Sequence, residues 1–264
     1  MLLGQETFFL LATLLLTKDK SPGVPALIST SFLIISSSGF MDKNYIKYIL
    51  DKLREDYNKI AEKYSRVREK EWKEMEFLFS GISENEKVLD LGCGSGRFYP
   101  LFEKRKADYY GIDFSSKMIE IAKEKYPRAR FWLGTGFHLA FDRDFFDKVY
   151  VIAVLHHIPS KEMRLRFLKE AKRVLKNKGK MILTVWDLKE KQKFSFFKNK
   201  NLGKDDILLP WYGASDCYFH KFTLKELEDL AMAAGLKIIE KGEIMVGERP
   251  YTNFYLICEK NEIL

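Results

Sequence analysis

From Asp42 onward the apolar positions follow two periods in turn. Over Asp42 to Glu62 and Arg68 to Phe79 they recur every three or four residues, which predicts two leading helices. After them, short β-rich runs alternate with helical patterns. Strands are predicted at Lys87–Leu91, Tyr109–Asp113, Ala129–Leu133, Lys148–Val154 and Lys180–Trp186, with helices at Arg97–Arg105, Ser116–Tyr126 and Lys161–Leu175 between them. Such alternation implies right-handed βαβ crossovers and a doubly wound, mostly parallel α/β sheet. Ser160 is placed to cap the helix after Pro159, and Gly179 falls in the turn behind that helix. Thr223-Leu224-Lys225-Glu226 reads as a capping box opening a helix that stops at Gly235. Two more strands are predicted, at Lys237–Met245 and Phe254–Glu259. The stretch of about 187–222 has no clean period; it is polar, basic and aromatic and leaves the sheet past a strand's carboxyl end. Open α/β sheets bind ligands there, so it reads as a substrate-covering insertion.

Residues 1–40 do not share this patterning. Their charges are Glu6, Lys18, Asp19 and Lys20, whereas the rest of the chain is dense in Lys and Glu. Thr7 to Thr17 is apolar but too short to span a bilayer, and no basic run precedes it as a secretory signal requires. Met41 then opens an ordinary globular sequence. The leading expectation is a mis-assigned upstream start, ahead of a flexible or packed extension and of a weak membrane anchor. The domain proper is expected over 41–264.

The 264-residue length suits one large α/β domain with a single core. Cys93, Cys217 and Cys258 are far apart, which argues for a reducing, cytoplasmic compartment and against a disulfide framework. Four histidines without ligand spacing predict no metal site. The formal charge of +8 is concentrated between Lys161 and Lys204, where many Lys and Arg residues face few acids. That run fits either a solvated basic face or a surface turned to nucleic acid.

The densest chemistry lies at Asp90-Leu91-Gly92-Cys93-Gly94-Ser95-Gly96. A strand, a glycine loop and a helix let the backbone approach a ligand closely, and the helix start offers free N–H groups. The glycines alternate, unlike the dinucleotide fingerprint, and Asp90 before them suits a cationic amino-acid tail better than a pyrophosphate. Asp113 ends the next predicted strand, about twenty residues on, where an acid accepts hydrogen bonds from ribose hydroxyls. The lesser reading is an N-cap acid for the helix at Ser115. Phe114 and Met118 could flank an adenine or serve as core.

Val88-Leu89-Asp90-Leu91-Gly92-Cys93-Gly94-Ser95-Gly96, then Gly111-Ile112-Asp113 and Phe146-Asp147-Lys148-Val149, resemble the motifs of class I S-adenosylmethionine (SAM)-dependent methyltransferases. The resemblance covers about Lys87 to Glu259. It implies a Rossmann-like seven-stranded sheet with one reversed edge strand, with SAM as cofactor. Gly134-Thr135-Gly136 departs from the family, which often carries an acid there for the adenine amine, so Thr135 or backbone is expected to serve. A narrower resemblance runs through Tyr57-Asn58-Lys59-Ile60-Ala61, Tyr64 to Trp72, Ile152-Ala153-Val154-Leu155-His156-His157, Glu162–Leu175, Val185-Trp186, Leu209-Pro210-Trp211 and Tyr218 to Phe222. In that order they are similar to the tRNA wobble-uridine carboxymethyl methyltransferases.

That likeness implies O-methylation of the carboxylate of 5-carboxymethyluridine in a tRNA anticodon loop. It implies Ala153 and Arg68 at the cofactor, Arg68 meeting its carboxylate, and a small zinc-binding activator subunit as a possible partner. His157, Arg164 and His220 are the candidates to orient the acceptor carboxylate, and Trp186 and Tyr218 could stack on a flipped base. Two alternatives stay open: a methyltransferase of a quinone- or sterol-like small molecule, and a SAM-binding subunit without activity.

Overall fold

The computed structural model describes residues 41–69, 73–188, 202–246 and 251–261. Residues 1–40 and the 189–201 part of the expected insertion lie outside them. Helix α1 (Lys43–Val67) starts under Asp42, whose carboxylate accepts from the Asn44 and Tyr45 N–H groups. It is longer than expected, and Lys73–Phe79 forms a 3₁₀ turn instead of an α-helix.

The sheet then builds as β1 (Lys87–Leu91), α2 (Tyr99–Glu103), β2 (Asp108–Asp113), α3 (Ser116–Lys125), β3 (Phe131–Leu133) and β4 (Phe146–Ile152). Next come a 3₁₀ turn at Leu155–His157, α4 (Lys161–Val174) and β5 (Leu175–Trp186). A hairpin of β6 (Asp206–Trp211) and β7 (Ala214–His220) follows, then α5 (Leu224–Ala233), β8 (Leu236–Val246) and β9 (Tyr251–Lys260).

The seven main strands lie in the order β3-β2-β1-β4-β5-β9-β8, and β6-β7 forms a separate two-stranded sheet. β1 to β5 are parallel, and β9 runs antiparallel to both β5 and β8. The reversed strand therefore sits between β5 and β8 and not at the edge. Chain order reverses between β1 and β4, which makes their carboxyl ends the switch point where doubly wound sheets bind ligands.

Alternation along β4 shows how the sheet divides the core. Val149 and Val151 join the cluster under α4 and α5, while Tyr150 and Ile152 join the one under α2. A third cluster, over the carboxyl ends, unites α1 with β6 and β7. Gly179 lies inside β5, beside a register shift between Phe146 and Lys148, and not in a turn. Ser160 caps α4 through Met163 N–H. Thr223 caps α5 through Glu226 N–H, but the Glu226 carboxylate turns away to His220, so half of the expected box forms.

Candidate active site

At the end of β1 the chain must turn under β4, and Gly92 makes this possible. Its φ is +88°, and a Cβ there would stand 2.2 Å from Val154 Cγ2. Gly94 and Gly96 also have positive φ. The loop is tied across to β2: Ile112 O accepts from the Gly92 and Cys93 N–H groups at 2.7 and 3.0 Å. Asp113 Oδ2 accepts from Gly94 N–H and Oδ1 from Ser115 N–H, each at 2.9 Å. A carboxylate has about four lone-pair sites, so Asp113 keeps acceptor capacity for hydroxyls. Burial pushes its pKa up to about 6, against the hydrogen bonds that favour the charged form.

Asp90 is 2% exposed and accepts from the Tyr109 hydroxyl at 3.1 Å. Burial raises it to about 7, opposed by the Tyr109 hydrogen bond. Arg97, just past the loop, feels Asp90, Tyr64, Arg68 and Tyr212. Sequence reasoning passed over Arg97; its place beside the third glycine was the available signal. At the end of β4, Ala153 takes φ +58°, held by its N–H to Thr184 Oγ1 at 3.0 Å. Such left-handed backbone in a non-glycine residue is stored strain of the kind found at sites. Gly134 N–H donates to Asp113 O at 2.9 Å, which sets exposed Thr135 beside the β2 acid. Phe114, half-buried, lies next to it.

Met118 goes elsewhere. It is 1% exposed, packs against α1 and accepts from Ser65 Oγ at 3.9 Å, so it presents no face for an adenine ring. α1 closes this side. Its Asn58 Oδ1 accepts from Ser115 Oγ at 2.8 Å and Lys117 N–H at 3.2 Å.

The three candidates for orienting an acceptor separate. His157 Nδ1 faces Tyr218 O at 3.2 Å and so carries the proton, which leaves Nε2 to accept from Tyr57 Oη at 2.8 Å. Burial lowers its pKa to about 4, so at neutral pH it is an uncharged post between α1 and β7. Arg164, buried, donates Nη1–H to Ile158 O at 3.0 Å and lies 3.7 Å from Glu226. His220 is held by Asp206 at 2.6 Å and Glu226 at 2.8 Å. Burial pulls the His220 pKa down, but the two carboxylates more than offset it and the net shift is upward. Arg164 and His220 thus fasten the hairpin to α4 and α5, with no ring N–H of His220 left for an acceptor. Tyr218 is also excluded as a stacking platform, being 2% exposed with its hydroxyl given to Asp206 at 2.7 Å.

An aromatic wall stands over the carboxyl ends instead. Ring centroids step from Phe114 to Tyr57 (6.0 Å), to His157 (5.3 Å), to Trp186 (6.2 Å) and to Trp211 (5.0 Å). Arg68 faces this wall, its guanidinium over Tyr64, Trp186 and Trp211 and its Nε–H on Tyr212 Oη at 3.1 Å. No cluster of metal-ligating side chains occurs among the described residues, and no described helix is long and apolar enough to cross a membrane.

A doubly wound sheet with a close-approach glycine loop at its switch point and acids ending β1 and β2 defines the Rossmann-like class I methyltransferase architecture. Comparison with known proteins agrees. A methyltransferase-domain family profile matches residues 89–183. A tRNA (carboxymethyluridine(34)-5-O)-methyltransferase of Schizosaccharomyces pombe is 27% identical over 241 residues, covering 82% of this chain and 99% of that protein. A candidate methyltransferase of Encephalitozoon cuniculi is 30% identical over 189 residues, covering 70% of this chain and 87% of that one. A methyltransferase solved with the Haloferax volcanii Trm112 methyltransferase activator shares the fold, with a TM-score of 0.63 at 17% identity over 80% of this chain and 99% of that one. The chain belongs to the class I SAM-dependent methyltransferases, and among them it is similar to the tRNA carboxymethyluridine enzymes.

Proposed function

We propose that this methyltransferase esterifies the carboxylate of 5-carboxymethyluridine at the tRNA wobble position. The observation that carries the reading is the absence, among the described residues, of a base free to deprotonate an acceptor at this site. His157 is neutral with both nitrogens engaged, and Tyr57 gives its proton to it. A phenol or ammonium acceptor needs such a base; a carboxylate is already a nucleophile at neutral pH. The likeness to the fission yeast enzyme over nearly all its length supports the same substrate. Exposed Lys161, Arg166, Lys169, Lys178 and Lys180 offer charge for an RNA backbone.

The residues present fit SAM. Asp90 suits its cationic amino-acid end, Gly92, Gly94 and Gly96 would give it room, Asp113 can take the ribose hydroxyls, and Phe114, Thr135 and Ala153 would border it. Arg68, expected at the cofactor's carboxylate, faces the aromatic wall, its guanidinium 5.4 Å over the Trp186 ring. The sulfonium supplies an electrophilic methyl group, whose bonding pair stays on sulfur as the new C–O bond forms. The protein's work is then to align the two partners and exclude water, which can supply much of the rate. α1 and the β6-β7 hairpin, joined through Tyr57 and His157, do this by roofing the carboxyl ends.

An activator subunit fits the reading as well. Among the described residues β3 is an edge strand, paired on one side with β2, and its Trp132 and Leu133 are 41% and 60% exposed, a surface suited to strand addition. The three cysteines are free and buried, which suits a reducing cytoplasm.

The test incubates the chain, alone and with an activator subunit, with methyl-labelled SAM and tRNA bearing unesterified carboxymethyluridine. Label on the carboxymethyl group, removed by mild alkali as an ester should be, is the expected result. No label in RNA under either condition, with cofactor binding shown separately, would overturn the assignment and favour a small-molecule acceptor.

A further inference from the structure

Two enclosed hydrogen-bond donors belong to neighbouring rings of the aromatic wall. Trp186 ends β5 and Trp211 ends β6, with ring centroids 5.0 Å apart. The indole Nε1 of each is shut off from solvent, yet neither meets an acceptor among the described residues. Folded proteins seldom leave an enclosed N–H group unmatched, because it carries the desolvation penalty with nothing in return. The adjacent His156 repeats the pattern. Its ring lies tilted 4.6 Å from that of Trp186, and its Nδ1 accepts from the Trp186 backbone N–H at 3.4 Å, so Nε2 holds the proton. That Nε2 also has no acceptor among the described residues.

The field at this place is positive. The Arg68 guanidinium lies 5.4 Å over the Trp186 ring and 5.6 Å over that of Trp211. Neutral donors under a cation are a receptor for an anion. The location is also on the reacting side: β5 pairs with β4, and Val154, just past the β4 end, is the residue against which Gly92 packs.

We infer that the Trp186 and Trp211 indole N–H groups receive the carboxylate of the methyl acceptor, a role that rests on the wobble-uridine reading for the identity of that carboxylate. Indole is a donor only, so it can hold a carboxylate without giving up or taking a proton. One oxygen can be held while the other keeps its lone pair for the methyl group. No proton moves in the transfer: the C–O bond forms, the C–S bond breaks, and an anion and a cation become two neutral products. Charge is annihilated along the way, so a dry aromatic surrounding disfavours the separated ions more than the transition state.

The experiment uses the full chain labelled with 15N and saturated with S-adenosylhomocysteine. Its four tryptophans, Trp72, Trp132, Trp186 and Trp211, give indole signals assigned by single Trp→Phe variants. Titration with 5-carboxymethyluridine, and separately with acetate, should move the Trp186 and Trp211 signals downfield and leave Trp132 in place. The neutral 5-carbamoylmethyluridine should leave both in place. With tRNA as acceptor, Trp186→Phe and Trp211→Phe should each lower kcat/KM by about ten- to a hundredfold, while S-adenosylhomocysteine affinity is kept. The inference is overturned if neither carboxylate moves the two signals, or if the amide moves them equally. It is also overturned if S-adenosylhomocysteine alone moves both and a carboxylate adds nothing, since the donors would then serve the cofactor. If both carboxylates move the signals but tRNA is not methylated, the subsite stands and the wobble-uridine reading fails.

Discussion

Asp90 couples cofactor binding to pH. Burial under the glycine loop places its pKa at about 7. A cationic amino-acid end beside it binds the ionised carboxylate. At pH 5, two units lower, only about 1% of Asp90 is ionised, so S-adenosylhomocysteine should bind about a hundredfold more weakly than above pH 7, ~2.7 kcal/mol. Between these limits log Kd should change by nearly one unit per pH unit. At pH 6 binding should release about 0.9 proton, read by calorimetry in two buffers of different ionisation enthalpy. Asp90→Asn keeps an acceptor for Tyr109 and removes the titration, so its affinity should be low and lack that bend. The sign for stability is opposite. A carboxyl whose pKa is raised on folding favours the fold below about pH 4 and loses that contribution as pH rises towards 7. Asp90→Asn should therefore melt higher than the parent at pH 8 without cofactor. An affinity that is flat from pH 5 to 8, or a bend that survives unchanged in Asp90→Asn, would refute the reasoning.

Gly92→Ala should weaken S-adenosylhomocysteine binding at least about tenfold, because φ +88° and the 2.2 Å approach to Val154 Cγ2 both oppose a Cβ. Adding Val154→Ala should recover part of the loss in the same titration, and parental affinity in Gly92→Ala would contradict the close approach. Tyr57→Phe strips buried His157 Nε2 of its donor and should cost about 1–3 kcal/mol, seen as a Tm drop of several degrees by calorimetry. His220, raised by Asp206 and Glu226, contributes stability that is complete below its ordinary value near 6.5 and fades as pH rises past the raised one. His220→Phe should therefore flatten the fall in Tm above about pH 6.5; an unchanged fall would assign it to other groups. Leu133→Lys on the exposed edge should abolish any activator dependence while sparing cofactor affinity, measured by co-purification and by titration.

The parts of the site that rest on local chemistry were legible in the sequence. Val88 to Leu91 announces a buried parallel strand because both of its faces must be apolar, and an acid followed by alternating glycines fixes a turn that only close approach explains. Asp113 is similar, since a strand end and a helix start meet within three residues there. What the sequence hides is set by contacts far along the chain. His156 and His157 are neighbours, yet one packs its ring against Trp186 and the other links Tyr57 to Tyr218. Arg164 and His220 carry charge-bearing side chains that suggest ligand binding, and only tertiary structure shows Asp206 and Glu226 occupying them. The β6-β7 hairpin escaped detection because its turn is unusual. Pro210 disfavours a strand, and the positive-φ pair is Tyr212-Gly213, where Asn-Gly is the common signal.

The roof of the site has a bearing on how the chain is made. Asp56 on α1 meets Cys217 Sγ at 3.5 Å across 161 positions, and Tyr57 reaches His157 across 100. At synthesis rates of about 5–20 residues per second, α1 leaves the ribosome about 10–30 s before its last partner has been polymerised. Until then its apolar stripe, with Leu53, Tyr57, Ile60 and Ala61, has no hairpin to rest on. Within the described residues, the nascent chain is thus most exposed to aggregation and to chaperone capture at α1, and the site becomes able to hold ligands only when one of its latest-made segments folds back over it.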